Sequence, residues 1–125
     1  MPNVMLIGQR RAISQGLMNK LCERSDLCLL VHTDYPSAIA AVRSNRIEVV
    51  VIEVAESGRY DTAYCLTLCR ELQATVPGCK LLLMCSEQNE ESVGQVIEAK
   101  SNRRIDDFVF LDVTMDYLAS KIMSL

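Results

Sequence analysis

The segment "IEVVVIEVAESG", residues 47–58, decides the fold of this chain. Four consecutive apolar residues, Val49–Ile52, lead directly into Glu53 and then into a loop that ends at Gly58. An unalternated apolar run of this length predicts a strand that is buried on both faces, as in a parallel sheet. The carboxylate at the end of that strand therefore marks the first place to look for function.

Short apolar runs alternate with longer amphipathic runs along the chain, and no low-complexity linker interrupts them. Strands that are separated by helices form a parallel sheet covered on both faces. We therefore expect an α/β fold, a three-layer doubly wound (βα)5 domain that spans residues 1–125 as a single unit. The expected strands are 4–7, 27–32, 48–54, 79–85 and 106–111, and the expected helices are 11–23, 36–45, 62–74, one from 89 and one from 114.

Two of the expected helix starts are marked by hydroxyl side chains, which favour the N-cap position. Thr114 is expected to cap the last helix, and Ser86 is expected to cap the fourth. In the fourth helix, the spacing of Val93, Val96 and Ile97 predicts that these side chains face the sheet.

Composition argues against several classes of function. Half of the residues are hydrophobic and 23% are charged, with a net charge of −3. This mildly acidic chain lacks the positive charge of a nucleic-acid binder. No apolar run approaches the ~20 residues that cross a bilayer, and residues 1–11 lack the pattern of a signal peptide. We expect a cytoplasmic protein without direct nucleic-acid or membrane contact.

The cysteines do not predict a metal or redox site, because none of them forms a CxxC pair. Cys65 and Cys69 are four residues apart and share a helix face, but a metal there requires two further ligands. The only histidine, His32, belongs to a different element. We expect reduced thiols that serve as small core residues. The six cysteines are at positions 22, 28, 65, 69, 79 and 85.

Motifs for nucleotide binding and hydrolysis are also missing. Gly8 and Gly16 are eight residues apart, which fits neither GxGxxG nor GxxxxGK[ST], and the chain contains no GxSxG. No cofactor is therefore predicted. In doubly wound folds, ligands bind beyond the carboxyl ends of the strands. Here those ends are residues 8–10, 53, 85–86 and 111–112.

Three stretches together resemble a response-regulator receiver domain of the NarL type, and they cover essentially the whole chain. They are "VMLIGQRRAISQGLMNKLCERSDLCLLVHTDYPSAIAAVRSNRIEVVVIEV" at 4–54, "LCRELQATVPGCKLLLMCS" at 68–86 and "RIDDFVFLDVTMDYLASKI" at 104–122. The resemblance implies a flavodoxin-like parallel sheet of order 2-1-3-4-5 and a role in two-component signalling or a phosphorelay.

The resemblance also implies which positions carry phosphoryl chemistry. Receivers phosphorylate an aspartate after the third strand, bind Mg²⁺ through an acidic pair after the first, and use a hydroxyl after the fourth strand and a lysine after the fifth. This chain departs from that pattern at each position. Glu53 stands in place of the aspartate, and Gly8 and Gln9, followed by Arg10, stand in place of the acidic pair. Cys85, with Ser86 beside it, takes the hydroxyl position. Leu111 replaces the lysine, and Asp112 replaces the proline that usually follows that lysine.

Three interpretations of Glu53 remain open. It is a solvated carboxylate at a strand end, a mimic of a phosphorylated aspartate, or the partner of an arginine. Because the first and third strands are neighbours in this fold, we predict a salt bridge from Arg10 or Arg11 to Glu53. An arginine at that place neutralises the carboxylate without a metal.

The leading hypothesis is a pseudo-receiver: a noncatalytic domain of signal transduction or transcription regulation, with no enzymatic activity and no metal. It acts through dimerisation or partner docking, and a longer chain would carry a DNA-binding domain. The degenerate pocket would be formed by the strand-end residues given above.

One alternative is an atypical receiver that is still phosphorylated. Glu53, Glu56 or Asp61 would accept the phosphoryl group, and Ser86 would act as the switch hydroxyl. A second alternative is a small-molecule sensor that uses the vacated pocket. Gly8, Cys85 and Leu111 would line that pocket and favour an apolar or thiol-reactive ligand.

The last strand and helix are the expected partner surface, because they carry more apolar residues than one inward stripe requires. The candidates are Phe108, Phe110, Met115, Tyr117 and Ile122. The alternative is that these side chains simply pack on the sheet.

Two small basic clusters, "QRR" at 9–11 and "NRR" at 102–104, are interpreted as solvated charge or as sites for an anion or an acidic partner.

Overall fold

Five parallel strands form one sheet in the order β2-β1-β3-β4-β5, with helices on both faces. The computed structural model describes residues 3–21, 23 and 28–125. The predicted fold class and strand order are confirmed. The elements are β1 (Asn3–Ile7), α1 (Arg11–Leu21), β2 (Cys28–His32), a 3-10 turn (Tyr35–Ser37), α2 (Ala38–Ser44), β3 (Val49–Glu53), α3 (Thr62–Thr75), β4 (Lys80–Cys85), α4 (Glu90–Ser101), β5 (Asp107–Phe110) and α5 (Met115–Ser124).

The element boundaries differ from the predicted ones by one or two residues. The first helix was predicted to reach Glu23 but ends at Leu21. Cys22, inside that predicted helix, and Leu27, at the predicted start of β2, lie outside the described residues. Among the described helices, none is both long enough and apolar enough to cross a membrane.

The core is divided by the sheet into two layers. Side chains alternate between the faces of a strand, so Val50 and Ile52 of β3 join the layer under α2, α3 and α4. Val49 and Val51 join the layer under α1 and α5. All five residues of β3 are buried, as the unalternated apolar run predicts. Because the strands are parallel, their carboxyl ends meet at one edge of the sheet.

Three helix starts in the described chain are capped by side chains. Asp61 accepts a hydrogen bond from the Tyr64 amide, and Thr114 accepts one from Tyr117, as predicted for Thr114. The prediction for Ser86 was wrong. The cap of α4 is Asn89, whose side chain accepts from the Ser92 amide at 3.0 Å. Asn89 lies directly before the first helical residue, where a cap must be.

The predicted inward face of α4 also needs correction. Val96 is fully buried, but Ile97 is 49% exposed. Successive helical residues point about 100° apart, so two neighbours seldom both face the core. The buried side chains of α4 are Ser92, Val96 and Ala99. Ile97 therefore belongs to the solvent side of the helix.

Candidate functional site

The carboxyl end of β3 presents Glu53 to a protein interior rather than to solvent. Glu53 is only 4% exposed. Its side chain lies against Gly8, which follows the last residue of β1. A Cβ at Gly8 would be 2.7 Å from Glu53 Oε1 and 3.0 Å from Glu53 Cβ. The glutamate therefore fills the space that a larger residue at position 8 would occupy.

Arg10 is the ionic partner of Glu53. Its Nε lies 3.4 Å from Glu53 Oε2, and its backbone N–H donates to Glu53 Oε1 at 3.4 Å. Arg10 Nη2 also lies 3.1 Å from Glu56 Oε1. The predicted salt bridge to Glu53 is confirmed for Arg10 and not for Arg11. The interpretation of Glu53 as a solvated carboxylate was wrong.

The charge of Glu53 is set by two opposing effects. Burial raises the pKa of Glu53, while the backbone amide and the guanidinium of Arg10 lower it. The net direction is upward, because removal of a carboxylate from water outweighs one half-exposed cation. Glu56 adds a smaller upward contribution.

Tyr35 fixes the backbone of the same strand end. It is 1% exposed, and its hydroxyl donates to the carbonyl oxygen of Glu53 at 2.5 Å. Burial raises its pKa, so the hydroxyl remains a donor. Its ring stacks on Tyr60 with 4.2 Å between centroids. This contact was not predicted, since no sequence pattern links Tyr35 to Glu53.

The other strand ends offer little polar chemistry. Cys85 is fully buried, and burial raises the pKa of its thiol. Leu111 packs against the core layer under α1 and α5. The side-chain amide of Gln9 lies 3.5 Å from the Thr33 carbonyl, in the loop after β2. The hydroxyl of Ser86 accepts from the Gln88 amide at 3.3 Å.

A cavity of about 250 Å³ lies beside Arg10. It brings together Arg10 from the first strand end, Ser86 from the fourth and Leu111 from the fifth, as the topology predicts. Glu53, Gly8, Gln9 and Cys85 do not line it. The lining residues are Arg10, Glu56, Ser86, Glu87, Gln88, Leu111 and Asp112.

The residues at this edge do not fit a divalent cation. Mg²⁺ prefers several hard oxygen ligands in octahedral geometry. Here Gly8 has no side chain, and the guanidinium of Arg10 already lies between Glu53 and Glu56. Within residues 3–21, 23 and 28–125, no three His, Cys, Asp or Glu side chains group as a metal site.

Comparison with solved structures identifies the fold. A response regulator from Thermotoga maritima gives a TM-score of 0.77 at 20% identity, over 100% of this chain and 99% of the other. The chain has the fold of response-regulator receiver domains. A DNA-binding response regulator of the LuxR family from Staphylococcus aureus gives 0.77 at 13% identity, over 99% and 98%.

The receiver fold also occurs in a structure described as adenylate cyclase from Rhodopirellula baltica, with a TM-score of 0.79 at 15% identity over 98% and 84% of the two chains. No family model and no curated protein sequence matches this chain. At these identities the likeness to the receiver structures establishes the fold alone.

Substitution of Gly8 tests the packing of Glu53. We expect Gly8→Ala to destabilise the fold by about 1–3 kcal/mol, the usual cost of an inserted methyl group in a filled site. Glu53→Ala in the same chain removes the closer contact, with Oε1, and leaves only the one with Cβ, so the double variant should lose less than the sum of the two single variants. Urea unfolding of the four proteins measures this coupling. Additive losses would show that the two side chains do not compete for the same space.

The raised pKa of Glu53 predicts a pH dependence of stability. In the unfolded chain Glu53 has a pKa of about 4.3, whereas the folded chain holds its proton to higher pH. Stability therefore falls as pH rises from that value through the folded pKa. Glu53→Gln is neutral throughout, so the stability of the natural chain relative to this variant should decline across that window and then level off. Denaturant unfolding from pH 4 to 8 measures the difference. A difference that rises with pH would contradict the assignment.

Proposed function

We propose that this receiver fold is a noncatalytic pseudo-receiver in cytoplasmic signal transduction, which acts through protein contacts and not through phosphorylation. The ion pair between Arg10 and Glu53 carries the proposal. It places a protein cation beside the acid at the position where receivers accept the phosphoryl group. The chain itself thereby compensates part of the cost of burying the carboxylate.

The hydroxyl and the ammonium that would contact the phosphoryl oxygens are missing as well. Transfer of a phosphoryl group requires positive charge and donors placed around its oxygens. Cys85 offers a buried thiol where a hydroxyl is needed, and Leu111 offers an aliphatic chain in place of an ammonium. These two replacements support loss of the chemistry independently of Arg10.

The phosphorylated alternative has little support in the contacts of its candidate residues. Glu56 is engaged by Arg10, and Asp61 caps α3. Ser86 is turned toward the Gln88 amide. The sensor alternative is weakened because Glu53 fills the space at Gly8 and Cys85 is fully buried.

A small phosphodonor tests the proposal directly. We expect no phosphoryl adduct when the chain is incubated with acetyl phosphate and Mg²⁺ and its intact mass is measured. A receiver with a complete site, treated in parallel, is the positive control. Arg10→Ala should remain unmodified too, since the hydroxyl and ammonium positions are still unfilled. An Mg²⁺-dependent adduct on Glu53, Glu56 or Asp61 would overturn the proposal in favour of the phosphorylated alternative.

The docking face that we propose lies between α4, β5 and α5. Phe108 and Phe110 meet edge to face with centroids 5.8 Å apart, and Tyr117 is 50% exposed beside them. They line a hollow of about 560 Å³. Two predicted contact residues need correction. Ile122 is 3% exposed, and Met115 is half-buried against Gly16 of α1, so neither forms part of this face.

Two lysines on this face are held by ion pairs with one aspartate. Asp107 lies 2.9 Å from Lys100 Nζ and 2.6 Å from Lys121 Nζ. Burial opposes the charge of Asp107, but hydrogen bonds from Lys121 and Lys100 lower its pKa overall. The two lysines are thus held over the rings of Phe108 and Tyr117. Exposed aromatic side chains are typical of protein interfaces. In a longer chain with a DNA-binding domain, such a face would support transcription regulation, as the LuxR-family neighbour suggests.

Dimerisation through this face is testable by truncation of its exposed ring. We expect Tyr117→Ser to weaken self-association at least tenfold in sedimentation velocity, because exposed aromatic anchors carry much of the binding energy. Ser120→Ala, at another exposed position of α5, should leave self-association unchanged. A strictly monomeric natural chain at high concentration, or equal association of Tyr117→Ser, would rule out a homodimer at this face.

A further inference from the structure

Two helix ends of this chain share the sequence Ser-Asn-Arg and one unusual backbone conformation. Residues 44–47 read "SNRI" and residues 101–104 read "SNRR". Arg46 has φ 52° and Arg103 has φ 59°, both in the left-handed region. The other described residues with positive φ are two glycines, at 58 and 78. Glycine adopts this conformation without strain, whereas arginine does not.

Both arginines terminate their helices in the same way. After α2, the Arg46 amide donates to the Arg43 carbonyl and the Ile47 amide donates to the Val42 carbonyl, at 3.4 and 3.2 Å. This pair of bonds is the Schellman motif, in which glycine is the usual left-handed residue. The end of α4 repeats it, with Arg103 donating to Lys100 at 3.1 Å and Arg104 donating to Ala99 at 2.8 Å.

Side-chain amides hold each strained turn in place. Asn3 Nδ2 donates to the carbonyls of Asn45 and Arg46, at 3.2 and 3.3 Å. Gln73 Nε2 of α3 donates to the carbonyl of Arg103 at 3.0 Å. Both turns are therefore held in a conformation that glycine would adopt without strain, although arginine occupies the left-handed position in each. Strain that is retained in this way is a reason to look for a function of the side chain.

The topology gathers these arginines at one edge of the molecule. Helices α2, α3 and α4 cover the same face of the sheet, with α3 between the other two. Because each helix runs antiparallel to the strands, all three end at the amino ends of the strands. Neighbouring helix axes are about 8–10 Å apart, so the ends of α2 and α4 are roughly 16–20 Å apart. Five exposed arginines lie in the C-terminal halves of these helices or directly after them, and together they define the arginine edge: Arg43, Arg46, Arg70, Arg103 and Arg104.

The arginine edge carries charge without ionic partners among the described residues. The salt bridges among the described residues involve Arg10 and four lysines, and none of these five arginines. Carboxylates on the same elements, Glu48, Glu71 and Glu98, are exposed and make no described ion pair with them. An arginine presents a planar fork of donors that matches carboxylates. The edge is therefore a row of free carboxylate-binding groups.

We propose that the arginine edge is a docking surface for an extended acidic segment of a partner protein. The row of about 20 Å matches roughly six extended residues. A nucleic acid is a poorer match, because a duplex carries about one negative charge per 1.7 Å, roughly twice the density of an extended acidic peptide, and a chain of net charge −3 repels it more strongly. The surface lies at the opposite end of the strands from Glu53. The proposal is thus independent of whether the domain accepts a phosphoryl group.

A labelled peptide of ten glutamates, used with the full chain, tests the proposal by fluorescence anisotropy. We expect saturable binding at low salt that weakens as salt is added. The double variant R46G/R103G should weaken binding at least tenfold. The matched control R11A/R59A removes two exposed arginines from the opposite edge and changes the net charge equally, and it should change binding less than twofold.

The glycine variant also separates binding from folding. Since glycine relieves the strain at both positions, R46G/R103G should unfold at a higher temperature than the natural chain. A protein that is more stable and yet binds poorly cannot owe its defect to misfolding.

Three results would overturn the proposal: no binding by the natural chain at low salt, equal binding by R46G/R103G, or tighter binding to a ten-base-pair DNA duplex than to the peptide. Self-association that is lost in R46G/R103G while the peptide fails to bind would assign the edge to a second copy instead.

Discussion

A carboxylate buried at the end of β3, with an arginine as its counter-ion, is the constraint on which the candidate site depends. Glu53 is the last residue of a fully buried strand and is therefore shielded from water. A buried carboxylate charge requires a partner of opposite charge or hydrogen-bond donors. Arg10 supplies that compensation from the next strand end, both through its guanidinium and through its backbone amide. The absence of a side chain at Gly8 makes the space for it. Three residues that depart from the usual receiver pattern thus fit one another.

The same end of the sheet is stabilised from two directions. Arg10 connects β3 to the loop after it by contacting both Glu53 and Glu56. Tyr35 holds the Glu53 carbonyl from the other side and stacks on Tyr60 of the same loop. In a phosphorylated receiver a metal ion and a phosphoryl group would connect these loops only transiently. Here contacts within the chain itself connect them.

Most of the fold was predictable from the sequence because its signals are local and agree with one another. The apolar run of β3 and the alternation of strands and helices define a doubly wound sheet, and the adjacency of β1 and β3 predicts the contact between Arg10 and Glu53. The predictions that failed were choices between nearby residues with similar properties. Asn89 and Ser86 both suit an N-cap, and Ile97 neighbours a residue that is truly buried. Tyr35 was missed because its partner is a backbone carbonyl, which every residue carries. The strained arginines were invisible, since the sequence gives no backbone angles.

The claim that the strand-end edge has lost metal-dependent chemistry is tested most directly by amide chemical shifts during Mg²⁺ titration, with and without beryllofluoride as a phosphoryl mimic. An ion pair between Arg10 and Glu53 in place of a metal predicts no saturable change at Gln9, Glu53 or Ser86 under either condition. A saturable, metal-dependent change centred on Glu53 would contradict it and would show that the site still binds the ion.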